Sequence, residues 1–271
     1  MGKAKLFQRG DGGVIFRGAF MRLMVDMGNS SIKWATFEQG RLTPQQRISY
    51  PNNKLEKMLT QAWLKLDVPS QGVWVSNVAG PDKAQILSQW VKTHWGLTPT
   101  FAKTSRYECG VTNGYENPEQ LGIDRWLALI GAHHLEKGML CVVDCGTAVT
   151  LDVLSAKGHH LGGLIMPGVT TMYNALKTDT YALAPLNNTL HLDEKPFLAH
   201  DTQTGIALGT LYAVIGLLEY VINTFQRQGN PLKLILTGGS TLALESFLHR
   251  PYRPIPDLVL QGLVTVVNQS L

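Results

Sequence analysis

Two aspartates stand at matching places in the chain. Val25-Asp26-Met27-Gly28-Asn29-Ser30 and Val143-Asp144-Cys145-Gly146-Thr147-Ala148 lie 118 residues apart, each after an apolar run and before a second strand-like stretch. A strand ending in Asp-x-Gly delivers a carboxylate to a tight turn. Glycine lets the chain reverse and lets a ligand approach the backbone. Asn29, Ser30, Ser31 and Thr147 add short polar groups. Successive backbone N–H groups in such a turn form a concavity for an anion. Lys33, four residues after Asn29, adds a cation. The aspartates repel a bare phosphate, so they make sense beside a metal ion or its water shell. Two facing turns would hold a nucleotide's phosphate tail and its cation.

One isolated Asp-x-Gly is most simply a β-turn without a ligand. Two copies with matching flanks favour the nucleotide reading. Thr237-Gly238-Gly239, after the apolar run at 232–236, adds a third turn suited to close backbone approach. Other nucleotide folds lack their fingerprints. No G-x-G-x-x-G follows a strand, and Leu164-Ile165 stand where a P-loop needs Lys and Ser/Thr after Gly158 and Gly163.

Strands and helices must alternate to position these turns, which predicts an α/β fold. Strands are expected at 22–25, 32–37, 41–49 and 72–77, with helices at 55–66 and 82–94. Residues 104–118 read as a loop. Asn117-Pro118 suits a helix start, with the helix interrupted or restarted at Gly122. The second half repeats the pattern, with strands at 139–143, 148–154 and 161–166 and a helix at 170–178. A loop at 181–200 precedes a helix at 204–226. A strand at 232–236 and helices at 240–249 and 257–268 complete the chain. The duplication divides it into a leader at 1–20, a lobe at 21–117 and a lobe at 118–271.

Composition narrows the class. The chain has 271 residues, 44% hydrophobic and 16% charged, so wholesale disorder is excluded. The apolar runs look too short for a membrane span. Formal charge is +4. Lys3, Lys5, Arg9 and Arg17 against Asp11 give the leader a net +3, leaving +1 for residues 21–271. No basic face for nucleic acid is expected. The leader lacks an unbroken apolar core and a cleavage site, so it reads as an upstream start or appended residues, with a targeting segment as the alternative. A cytoplasmic location follows. Cys109, Cys141 and Cys145 have neither disulfide nor zinc spacing. The pairs His133-His134 and His159-His160 read as surface or hairpin histidines. Trp34, Trp74 and Trp126 read as packing residues. The 204–226 helix, apolar on most sides, should be buried within a lobe or between subunits.

Four motifs together resemble the type III pantothenate kinases, members of the acetate kinase/sugar kinase/Hsp70/actin superfamily. They are residues 26–33, Tyr115 to Arg125, Asp144 to Thr150, and Gly162-Gly163-Leu164-Ile165-Met166-Pro167-Gly168. The resemblance spans roughly residues 22–240. It implies two duplicated ribonuclease-H-like (actin-like ATPase) lobes around a nucleotide cleft. It implies ATP-dependent phosphorylation of pantothenate on the route to coenzyme A, with Mg²⁺, a monovalent cation (K⁺ or NH₄⁺) and a homodimer. By motif matching, Asp26, Met27, Gly28, Asn29, Ser30, Ser31, Ile32, Lys33 and Thr147 would contact ATP, and Asp144 the monovalent cation. Tyr115, Gly122, Ile123, Asp124 and Arg125 would line the pantothenate site. Thr202 matches a substrate position, with Thr204 as a near alternative. Asp124 would be the proton acceptor.

The chemistry agrees. Phosphoryl transfer mostly needs positioning and charge neutralisation. A carboxylate can take the acceptor hydroxyl's proton as the bond to phosphorus forms, and Arg125 offers a fork of donors to a carboxylate or phosphoryl oxygen. Two other functions share these features: another small-molecule kinase of the superfamily, and a nucleotide-binding regulatory protein with little turnover.

Overall fold

The computed structural model describes residues 20–49, 54–178 and 197–269. The leader, apart from Phe20, and most of the expected 181–200 loop lie outside them. The first half contains β1 (Arg22–Met27), β2 (Ser31–Glu38), β3 (Arg41–Leu42), β4 (Gln46–Ser49), α1 (Leu55–Trp63), β5 (Val73–Asn77), α2 (Pro81–Trp95) and β6 (Thr100–Phe101). A small hairpin, β7 (Tyr107–Glu108) and β8 (Val111–Thr112), leads through a 3₁₀ turn at Pro118–Gln120 to α3 (Ile123–Leu135). The second half contains β9 (Leu140–Cys145), β10 (Ala148–Leu154), β11 (His160–Pro167), α4 (Val169–Thr178), α5 (Thr202–Arg227), β12 (Lys233–Thr237), α6 (Thr241–Glu245), β13 (Tyr252–Pro254) and α7 (Leu258–Gln269).

The two main sheets share one topology. The first runs β3-β2-β1-β5-β6, with β4 also on β2, and the second runs β11-β10-β9-β12-β13. In each, the strand bearing the aspartate pairs antiparallel with the next strand and parallel with a later one. This is the pair of matching lobes expected from the repeated motif, in the ribonuclease-H-like arrangement that the family resemblance implies.

Helices α3 and α7 join the two halves. Trp126, Leu127 and Ile130 of α3 and Leu258 and Leu263 of α7 share one core with Met24 and Ala35 of the first sheet and Val142 and Ile235 of the second. Two glycines permit the close crossing. A Cβ at Gly131 would lie 2.7 Å from the Leu258 carbonyl oxygen, and one at Gly262 would collide with the Leu127 carbonyl. The α3 helix is therefore anchored to both sheets, and its first turn is held at their junction.

Several expectations change. The strand expected at 41–49 is two short strands. Pro44 cannot donate to a ladder, and Thr43 turns back to bond Thr36 through both backbone and side chain. The loop at 104–118 contains the β7–β8 hairpin, whose corner uses positive φ at Cys109 and Gly110. The helix at 240–249 stops at Glu245, because Phe247 and Leu248 bond the carbonyls three residues back. His160 does stand in a hairpin, β10–β11, but it is buried there to 3% exposure rather than at the surface. Finally, α5 is long and apolar enough to cross a membrane by length and composition alone, contrary to the expectation that every apolar run is too short. It buries one face, including Leu211, Val214 and Leu218, against the second sheet. On α5, Glu219 pairs with Arg250.

Candidate active site

Each aspartate corner is a hairpin closed by the N–H of its glycine, reaching three residues ahead in the first corner and two in the second. In the first, the Gly28 N–H donates to the Ser31 carbonyl at 3.0 Å; in the second, the Gly146 N–H donates to the Ala148 carbonyl at 3.0 Å. Asp26 sits opposite Lys33 across β1–β2, with Nζ 3.6 Å from Oδ2. Asp144 faces Thr150 in the equivalent register, so its own hairpin supplies no cation there.

The corners meet. Ser30 Oγ and Thr147 Oγ1 are 2.8 Å apart. The third turn closes on the second corner: the Ser240 N–H donates to the Cys145 carbonyl at 2.9 Å. Gly238 has φ +98, and a Cβ there would lie 2.6 Å from Cys145 N and collide with Asp144 Oδ1. Only glycine allows that approach. From the first sheet, Arg47 Nε donates to Ser31 Oγ at 3.2 Å, and its Nη1 occupies the space a Gly239 side chain would take. Lys83 of α2 donates to the Asn29 carbonyl at 3.0 Å.

Gly122 precedes the first turn of α3, which carries Asp124. A Cβ on Gly122 would lie 2.7 Å from Asp124 Oδ1. That oxygen accepts the Arg125 backbone N–H at 2.8 Å. Burial pushes the Asp124 carboxyl above its ordinary value, the Arg125 N–H and charge pull it down, and Asp152 pushes it up. Burial also raises Asp26, against Lys33, while Asp124 adds repulsion. Asp144 is pushed up to about 6 by burial; Lys33 opposes the shift, and Asp26 and Asp124 reinforce it. Three carboxylates thus share one field that contains Lys33.

This pocket is short of positive charge. Asp26 Oδ1 and its neighbour Ser76 Oγ are buried, and neither has a hydrogen-bond partner among the described residues. A cation fits that electrostatic need. Among the described residues no three His, Cys, Asp or Glu side chains form a direct cage. A Mg²⁺ ion here would draw its remaining ligands from phosphate oxygens and water, its usual mode.

Arg125 makes a second constellation. It is 6% exposed and forks onto Asp152 through Nε (2.8 Å) and Nη2 (2.6 Å), while Nη1 donates to the Tyr115 hydroxyl at 2.9 Å. Burial works against its charge, but Asp152 and Tyr115 more than offset that and raise its pKa.

The structure brings together Asp26, Ser30, Lys33, Asp124, Asp144 and Thr147, and joins Tyr115 to Arg125. Met27 and Ile32 are buried in the first half's core, so only their backbone can meet a ligand. Ile123 is likewise a core residue. Thr202 opens α5 as an exposed residue and shares no hydrogen bond with the others among the described residues. Sequence reading missed Arg47, Lys83, Asp152 and His160. Only Asp152 left a signal, as a charge inside an apolar strand.

The fold and this site define a phosphotransferase of the actin-like ATPase class. Among solved structures, the chain resembles a Campylobacter jejuni protein described as a conserved Baf family transcriptional activator, with a TM-score of 0.56 and 20% identity over 92% of this chain and 98% of that one. The ethanolamine utilization protein EutJ of Carboxydothermus hydrogenoformans aligns with a TM-score of 0.53 and 14% identity over 91% and 89%. The type III pantothenate kinase family model matches residues 22–224. A type III pantothenate kinase of Nitrosococcus oceani is 38% identical over 92% of this chain and 95% of its own length; one of Burkholderia thailandensis is 36% identical over 92% and 98%. The chain belongs to the type III pantothenate kinase family.

Proposed function

We propose that the chain transfers the γ-phosphoryl group of ATP to the primary hydroxyl of pantothenate, giving 4′-phosphopantothenate, with Asp124 accepting the hydroxyl proton. The Ser30–Thr147 contact carries this reading, because it sets both acidic corners at one gap. Residues 26–33 and Thr147 hold the phosphate tail through turn N–H groups, hydroxyls and Lys33. Asp144 serves the monovalent cation, K⁺ or NH₄⁺, and Mg²⁺ enters with ATP. Bound cations would neutralise charge on the phosphoryl oxygens. Asp124 needs a raised proton affinity to act as a base near neutral pH, and its burial supplies that.

Tyr115, Gly122, Ile123 and Arg125 form the acceptor site in this reading. A guanidinium carries five N–H donors. Three are spent on Asp152 and Tyr115, leaving one on each Nη. That pair suits the pantothenate carboxylate. Thr202 completes the substrate contacts, with Thr204 as the alternative.

The lobes divide at 117/118, a reading supported by strands confined to 22–101 and 140–254 for the two main sheets. A cytoplasmic homodimer, free of membrane and nucleic acid, is part of the same proposal. Exposed Gly205, Gly209, Gly216 and Tyr220 on α5, with Leu161, Leu164 and Ile165 on the edge strand β11, support a subunit contact. Sedimentation as a monomer at micromolar concentration would remove it.

The deciding experiment measures ADP release with and without pantothenate, in potassium and in sodium buffer. Pantothenate-dependent release that is faster in potassium is expected. ATP binding without such release would move the chain to a regulatory role, and release with another acceptor only would make it a different kinase.

A further inference from the structure

We propose that Asp152 and His160 act as a positioning pair that sets Arg125 and Tyr115 for the carboxylate end of the acceptor. The inference rests on the reading of Arg125 and Tyr115 as acceptor-binding residues. Asp152 lies on β10, an interior strand of the second sheet, at 2% exposure. Its carboxylate takes Arg125 side-on through Nε and Nη2. A side-on fork fixes the plane of the guanidinium and leaves one N–H on each Nη unspent.

His160 supports the same carboxylate from β11. Its Nε2 lies 2.8 Å from Asp152 Oδ1, the oxygen that also accepts from Arg125 Nη2. Its Nδ1 is buried without a hydrogen-bond partner among the described residues. A proton there would have no acceptor, whereas one on Nε2 is directed at the Asp152 carboxylate. The ring also stacks on Tyr115, with centroids 5.7 Å apart and planes at 18°. Arg125 Cζ lies 5.6 Å from the Tyr115 ring centroid. His160 therefore touches the support of Arg125 and one face of Tyr115 together.

The backbone makes room for this cluster. A side chain at Gly163 would collide with Asp152 Oδ1 and Arg125 Nη2, and one at Gly114 with the His160 carbonyl. Buried ionic clusters seldom exceed well-packed apolar residues in stability. Positioning is the function that accounts for a cluster whose remaining donors are a matched pair.

The test is steady-state kinetics on the full chain, varying pantothenate and ATP separately, for His160→Asn, His160→Gln, Asp152→Asn and Arg125→Lys. His160→Asn loses the Nε2 contact and should raise KM for pantothenate about tenfold. KM for ATP, kcat at saturation and Tm should stay near wild type. His160→Gln returns an amide nitrogen to the Nε2 position and should recover most of the loss. Wild-type behaviour of His160→Asn overturns the inference, as does a parallel loss in both substrates with a lowered Tm. An unchanged pantothenate KM in Arg125→Lys overturns the acceptor-site reading and this inference with it. An affected Arg125→Lys beside an unaffected His160→Asn overturns the inference alone. If Asp152→Asn does not fold, the two His160 variants decide.

Discussion

Ser30 Oγ and Thr147 Oγ1 touch at 2.8 Å although 117 positions separate them. Each hydroxyl stands in a hairpin corner of a different sheet, so the contact joins the two halves at the gap where their aspartates converge. A phosphate oxygen entering that gap can take a hydrogen bond from either hydroxyl. Ser30→Ala and Thr147→Val should each raise KM for ATP about three- to tenfold, the effect of losing one hydrogen bond to a charged group. Because the hydroxyls share a partner, the double variant should lose less than the product of the singles. ATP titrations of the four proteins give the coupling; independent effects would mean that the corners do not serve one phosphate.

Asp124 tests the chemical step. Asp124→Asn keeps size and shape, and the amide oxygen can still accept the Arg125 N–H seen at 2.8 Å. Folding and ATP binding should persist. Loss of a general base costs about 10²- to 10⁴-fold in kcat. Single-turnover ADP formation with bound ATP measures this directly, and a loss of only a few-fold would remove Asp124 from that role.

The raised carboxylates predict a pH response with a definite sign. Asp144 has its pKa moved from 3.8 to about 6 by burial, so across that window the folded chain holds a proton that the unfolded chain has released. Stability from this group is full at the acid end and declines as pH rises through the folded value. The ligand-free protein should gain Tm on Asp144→Asn at about pH 7.5 and little at about pH 4. Glu136, Glu219 and Asp201 are held low by Arg253, Arg250 and the Thr204 N–H, and they contribute equally to both proteins. The difference between the two melting profiles therefore reports Asp144 together with its repulsion from Asp26 and Asp124. Activity should show the opposite trend, rising with pH as Asp144 and Asp124 ionise.

Local pattern made the corners readable and left the contacts between them hidden. Asp26 and Asp144 each sit between a strand-like run and a glycine, and the period-2 stretch at 148–154 marks β10 in full. These signals need only neighbouring residues. Arg47 at Gly239, His160 on Asp152 and Lys83 on Asn29 join residues far apart in the chain, and nothing beside them distinguishes them from solvent-facing cations or a hairpin histidine. The α5 helix is legible only in part. Its composition predicts burial within a lobe or between subunits, and one face packs on the second sheet while Gly209 and Gly216 lie exposed on the other.

The two glycines after β12 should respond unequally to alanine, although they are adjacent. Gly238 adopts φ +98, and a Cβ there meets the Cys145 backbone and Asp144 Oδ1, groups fixed in a central strand. Neither can retreat without disturbing the second corner. At Gly239 the obstacle is the guanidinium tip of Arg47, the far end of a flexible side chain on an exposed strand position. Gly238→Ala should therefore lower Tm and weaken ATP binding together, with about 1–3 kcal/mol of strain expected for a non-glycine residue in that region. Gly239→Ala should keep Tm and displace only Arg47. Removing Arg47 first, as Arg47→Ala, should make Gly239→Ala neutral and leave Gly238→Ala as damaging as before. Thermal melts of the two alanine variants in both backgrounds check this, and equal damage from both glycine changes would refute the assignment of Asp144 as the fixed wall of the site.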